Sequence, residues 1–147
     1  INDFMPNPRY IKDWKPTKEL EFKLEFAHYV YMFELEPFCR GFSYEHELEN
    51  LKNIQGVYLI GSHAQDSGWD NEKSDIDFRL LIPDMLPAAF DEYKRKHLDS
   101  KLHVGIKPNW IDLFASQRSD QILKPRYELT DLWHKFNQYF KLISPKI

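Results

Sequence analysis

Three short segments set the frame of this chain through their hydrophobic patterning. Gly56-Val57-Tyr58-Leu59-Ile60 is β-branched, aromatic or aliphatic almost throughout and stops at Gly61, as a buried strand would. From Asp75 the chain alternates, sending Ile76, Phe78 and Leu80 to one face of a strand and Asp75, Asp77 and Arg79 to the other, before it turns wholly apolar towards Ile82. Trp110-Ile111-Asp112-Leu113-Phe114 reads as a third strand, entered through a turn at Pro108-Asn109. Helical spacing fills the intervals. Ser43 can cap a helix over 43–52 that lines up Tyr44, Leu48 and Leu51, and a second helix over 86–97 tolerates Pro87 in its first turn. A last helix over 128–142 gathers Leu129, Leu132, Trp133, Phe136, Tyr139 and Phe140 into a broad core-facing stripe.

The N-terminal part is less direct. Residues 19–26 alternate as a strand would, yet Thr17 suits a cap, Glu19 the first turn and Pro37 a stop. With neither Gly nor Pro across 17–36, a strand reading would need an implausibly long strand or a turn without turn residues, so one long helix is predicted. Ahead of it, Pro6, Pro8 and Pro16 predict an extended arm. The expected organisation is α/β: residues 1–42 form an arm and helical extension, 43–147 form the domain proper, and together they make one compact domain.

The candidate chemistry sits where strands end. Gly61 lets the backbone turn tightly and brings amide N–H groups close to an anion, and Ser62 adds a hydroxyl donor. A helix starting at Ser62 or His63 would point its unpaired N–H groups at the same anion. Asp75 and Asp77 share a strand face; ionised at about 4 Å they would repel by roughly 4 kcal/mol at an effective dielectric near 20, unless a cation or proton sits between them. Magnesium suits such a pair because it takes hard oxygen ligands and commonly binds through one or two carboxylates together with substrate phosphates. Asp112, one acid among four apolar residues, calls for an edge position or a partner, and a neighbouring strand carrying Asp75 and Asp77 would let three acids share two ions. Arg79 lies on the aspartate face, where it could reach a phosphate, anchor Asp112 or simply be solvated. Lys101 and Lys107 precede the third strand and could steer an anionic substrate.

This order of elements resembles the DNA polymerase beta-like nucleotidyltransferases, in particular their minimal branch: Leu59-Ile60-Gly61-Ser62-His63-Ala64, then Ser74-Asp75-Ile76-Asp77-Phe78, then Ile111-Asp112-Leu113. The likeness spans residues 56–114, and the loop over 63–73 departs from it, being longer, with Asp66 where an Arg-Gly pair often falls. The resemblance implies a mixed β-sheet flanked by helices. It implies that Gly61 and Ser62 hold the β- and γ-phosphates of a nucleoside triphosphate such as ATP. Asp75 and Asp77 would bind the nucleotide-associated Mg2+, with Mn2+ as a substitute, and Asp112 would serve a second ion that activates an acceptor hydroxyl. The expected reaction is transfer of a nucleoside monophosphate with release of pyrophosphate, to a protein or small molecule rather than to nucleic acid, since no large second domain is evident to grip a polymer. The competing expectation is a non-catalytic or antitoxin-like module that binds a protein partner on the same fold.

Composition narrows the field further. The net charge of -3 offers no broad attraction to a nucleic-acid backbone; Lys94-Arg95-Lys96 is the best candidate for a local basic patch, against the ordinary reading of such a run as a solvated helix face. One cysteine, Cys39, excludes an internal disulfide and a cysteine-based zinc set. Aromatic residues make up 16% of the chain, which implies bulky packing or an interface. No apolar stretch is long enough for a membrane span and no signal-like segment leads the sequence, so the expected location is the cytoplasm.

Overall fold

A computed structural model describes residues 16–40, 54–61, 75–83, 85–122 and 127–143. The expected arm, the helix expected over 43–52, and Ser62 and His63 with the loop that follows lie outside these residues, as does the side chain of Cys39.

Helix α1 (Lys18–Arg40) begins where the sequence suggests, because the Thr17 hydroxyl accepts the Leu20 N–H (3.2 Å) and Glu19 and Glu21 sit at its positive end. The alternation over 19–26 resolves into a helical stripe: Leu20, Leu24, Ala27, Tyr31 and Leu35 are buried, while Phe22 and Phe26 face outward. Pro37 does not stop the helix, which continues to Arg40. Nor is α1 peripheral to the packing, since its buried side chains belong to the same core as those of the strands.

Among the described residues four strands form one mixed sheet in the order β3-β2-β1-β4. Strand β1 (Gly56–Ile60) pairs antiparallel with β2 (Ile76–Leu81), setting Ile60 opposite Asp77. Strand β3 (Ile111–Ser116) pairs in parallel with β2, setting Asp77 opposite Asp112. Strand β4 (Tyr127–Glu128) was not anticipated; it is a short antiparallel edge on β1. Its junction with the last helix is fastened twice, by Leu129 N–H to Val57 O (2.7 Å) and by Val57 N–H to Thr130 Oγ1 (3.0 Å).

Parallel strands need a crossover, and here it is helical. Helix α2 (Pro87–Tyr93) runs into a π-helical segment (Lys94–Leu98) and then α3 (Asp99–Leu102), so the helical stretch extends beyond the expected 86–97. A short 3₁₀ turn at Lys107–Asn109 leads into β3. Helix α4 (Thr130–Ile143) packs on α1 and buries Trp133, Phe136 and Phe140, whereas Tyr139 is exposed.

The two faces of β2 divide the labour. Ile76, Phe78 and Leu80 are fully buried in the core with Val57, Leu59, Leu113 and the helices, while Asp77 and Arg79 lie half-buried on the opposite face. Alternation in the sequence therefore decides which residues pack and which are left for chemistry. Among the described residues no helix is long and apolar enough to cross a membrane.

Candidate metal centre

Asp75, just before β2, Asp77 on β2 and Asp112 on β3 come together at one end of the sheet. One carboxylate oxygen from each lies within 4.8 Å of the others. Parallel register places Asp112 directly beside Asp77, and the Ile76 N–H bond to Trp110 O (3.1 Å) draws the start of β2, with Asp75, against the start of β3. Among the described residues strand β3 is a sheet edge, so Asp112 has there both the edge position and the partners that an acid in an apolar run requires.

Gly61 closes the site from β1. Its φ is +77°, a conformation open to glycine at little cost, and a Cβ added there would lie 2.5 Å from Asp77 Oδ2. The Gly61 bend thus lies directly against the acidic cluster, as the sequence suggested. Ser62, expected as a phosphate ligand, lies outside the described residues.

Electrostatics in the cluster follow from crowding. Asp75 is raised above the ordinary carboxylate range, first by its hydrogen bond with Asp112 and then by burial. Asp77 is pushed up to about 7 by burial and by the neighbouring charges of Asp75 and Asp112, against the pull of Lys94 and Arg79. Burial would raise Asp112 as well, but hydrogen bonds from Asp75 and His103 outweigh it and hold this carboxyl low. Asp75 and Asp112 are thus moved in opposite directions by the hydrogen bond between them, and a divalent cation would satisfy the same charges.

Of the parts open to Arg79, the structure sets aside the Asp112 anchor. Arg79 donates from Nη1 to Ser116 Oγ (3.3 Å), and its guanidinium carbon lies 5.3 Å from the Phe114 ring centroid, so it does not anchor Asp112. The reason is register: Arg79 stands opposite Phe114, one pleat beyond the Asp77–Asp112 pair, and its side chain leans on towards Ser116. It still helps to hold Asp77 down through its charge. Lys101 is tied to Glu34 of α1 at 2.8 Å, while Lys107 is exposed and lowers Asp75 through its charge.

Two residues at the site escaped the sequence reading. Lys94 separates from the solvated Lys94-Arg95-Lys96 face and sets its Nζ 4.3 Å from the Phe114 ring centroid, near enough to stabilise both Asp77 and Asp112 as anions. His103 places Nε2 2.5 Å from Asp112 Oδ1 and 4.0 Å from Asp99 Oδ1. The spacing Asp99-x-x-x-His103, one helical turn, was the available signal for the second.

Comparison with models of known protein families, with curated proteins and with solved structures finds no match to this chain.

Proposed function

We propose that this chain is a metal-dependent nucleotidyltransferase that moves a nucleoside monophosphate from a triphosphate, ATP in the simplest case, to a hydroxyl on a protein or small molecule. The observation that carries this reading is the convergence of Asp75, Asp77 and Asp112 within 4.8 Å beside the positive-φ Gly61. A donor set made of hard carboxylate oxygens, with Asp77 pushed up to about 7 by burial and then by its neighbours, fits Mg2+ or Mn2+. Asp75 and Asp77 would hold the ion that accompanies the nucleotide, and Asp112 would be shared with a second. Bound there, such ions would supply neutralisation of charge on the leaving pyrophosphate and on the attacking oxygen.

The chain's own groups account for the rest of the chemistry. Gly61, lacking a side chain, lets the Asp77 carboxylate lie against the bend, and the tight turn would leave backbone N–H groups accessible to phosphate oxygens beside that acid. Lys94 and Arg79 add positive charge along the face on which a triphosphate would lie. In the reaction a bond forms between the acceptor oxygen and the α-phosphorus as the bond to pyrophosphate breaks, and the hydroxyl proton is lost to water. Holding nucleophile and phosphorus in line supplies much of the acceleration. The four-stranded mixed sheet, with its Gly61 bend at the end of β1 and its acids on β2 and β3, supports the nucleotidyltransferase-type fold expected from the sequence.

Incubation with ATP, Mg2+ and candidate acceptors, followed by mass spectrometry for an added nucleoside monophosphate, tests the reading. Transfer should occur with the wild-type chain and fall more than ~100-fold in Asp77→Asn, beyond the usual cost of losing an outer partner of a metal site. Equal transfer by both would remove the assignment.

One observation favours the second reading, a protein-binding module. Phe22, Phe26, Tyr29 and Phe33 form an exposed row along α1, with Phe22 at 68% and Phe33 at 53% exposure. Such a row suits a protein partner, and none of its four residues is among the three acids.

A further inference from the structure

His103 stands outside the three carboxylates but touches one of them. Its Nε2 is 2.5 Å from Asp112 Oδ1, and since a carboxylate accepts, Nε2–H donates. The imidazole is held in place. It stacks on Trp110 with ring centroids 4.6 Å apart and planes 14° from parallel, and Trp110 in turn donates from Nε1 to Gly105 O (3.1 Å). Gly105 has φ +78°, so the turn that presents this carbonyl depends on a residue able to adopt that conformation. A closed path thus runs from the end of α3 through His103, across the Trp110 ring and back to the strand that bears Asp112.

Asp99, His103 and Asp112 are also close enough to suggest a mixed nitrogen and oxygen ion site. In the ion-free chain, however, His103 Nε2 is engaged by Asp112 Oδ1, and Asp99 Oδ1 stands further off at 4.0 Å.

We infer that His103 is a positioning residue: by donating from Nε2 to one oxygen of Asp112, with its ring fixed by Trp110, it sets the rotation of that carboxylate and so presents it to Asp75 and Asp77 for ion binding. This rests on the divalent-ion reading above. Carboxylates that ligate metals are themselves held by hydrogen bonds, and loss of such a partner typically costs 10–100-fold in metal affinity. His103 fills that place for Asp112.

Titration with Mn2+, followed by electron paramagnetic resonance, reads the inference without any catalytic assay. The wild-type chain should bind Mn2+, and its electron spin echo should lack the strong nitrogen coupling of a directly bonded imidazole. His103→Ala should weaken Mn2+ about 10–100-fold, and His103→Gln, which keeps a donor, should recover part of the loss. Trp110→Phe, which keeps a stacking ring, should bind more tightly than Trp110→Ala. Unchanged affinity in His103→Ala would overturn the inference, as would directly bonded nitrogen coupling in the wild type, a measurement that needs no variant to fold. A wild-type chain that takes up no Mn2+ would overturn the divalent-ion reading itself and this inference with it.

Discussion

Gly61 and Asp77 approach so closely that a single methyl group at residue 61 would lie 2.5 Å from the Asp77 carboxylate. Two strands that pair in register, Ile60 against Asp77, thereby join a bend in one to an acid in the other. Gly61→Ala would meet both the crowding and a φ of +77° that costs a residue with a Cβ about 1–2 kcal/mol. We predict a loss of stability of at least this size in urea unfolding, together with weakened Mn2+ binding. Wild-type stability in the variant would mean that the bend is not under this constraint.

The crowded acids predict an unusual pH response in the metal-free chain. Asp77 has a folded pKa of about 7 against an ordinary 3.8, so the folded state holds its proton more tightly than the unfolded state does. Its contribution to stability is full below about pH 4 and is lost as pH rises towards 7. Asp77→Asn should therefore gain stability over the wild type at about pH 8 and lose that advantage near pH 4. Added Mg2+ should raise the wild-type unfolding temperature more at about pH 8 than near pH 5, because protons and metal compete for the same oxygens. A Mg2+ effect independent of pH would contradict this.

His28 works in the opposite direction. It is 2% exposed, donates from Nε2 to Asn137 Oδ1 (2.5 Å), and packs edge-on against Trp133, Phe136 and Phe140. Burial lowers its pKa from 6.5 to about 4, only partly offset by the bond to Asn137. Its contribution is intact above about pH 6.5 and is lost as pH falls through 4, on the order of 3 kcal/mol in all. Because Asp77 gains over the same range, the acid limb should be clearest in Asp77→Asn, whose urea midpoint should fall as pH is lowered from about 7 to about 4. A flat profile there would place the buried proton elsewhere.

The unanticipated edge strand offers a test of the fold. Thr130→Val keeps size but removes the acceptor of the Val57 N–H, a part-buried bond joining α4 to β1. We expect a loss of about 1–3 kcal/mol in chemical denaturation and no change in Mn2+ affinity, since Thr130 is remote from the acids in register. Loss of metal binding in this variant would show that the sheet and the site are coupled more tightly than their separation suggests.

What the sequence made legible was what periodicity alone determines. Alternation assigned Ile76, Phe78 and Leu80 to the core and Asp77 to the open face, and the single Gly61 marked the end of β1. Contacts that depend on side-chain reach were not legible. Arg79 shares the aspartate face yet turns to Ser116, because an arginine can lean a full pleat along a strand. His103 lies nine residues from Asp112 and meets it only after a helix end, a Gly105 turn and a 3₁₀ segment have reversed the chain. The helix ran past Pro37 because proline removes one hydrogen bond, and α1 has a long buried face to offset it. Strand β4, Tyr127–Glu128, is too short to leave any periodic trace.

Calorimetric titration with ATP in the presence and absence of Mn2+ addresses the central claim most directly. The wild-type chain should bind the nucleotide together with the metal, ATP alone should bind far more weakly, and Asp77→Asn should abolish the metal-dependent part while retaining a folded spectrum. Nucleotide binding indifferent to both the metal and Asp77, or no binding of either by the folded wild-type chain, would contradict it.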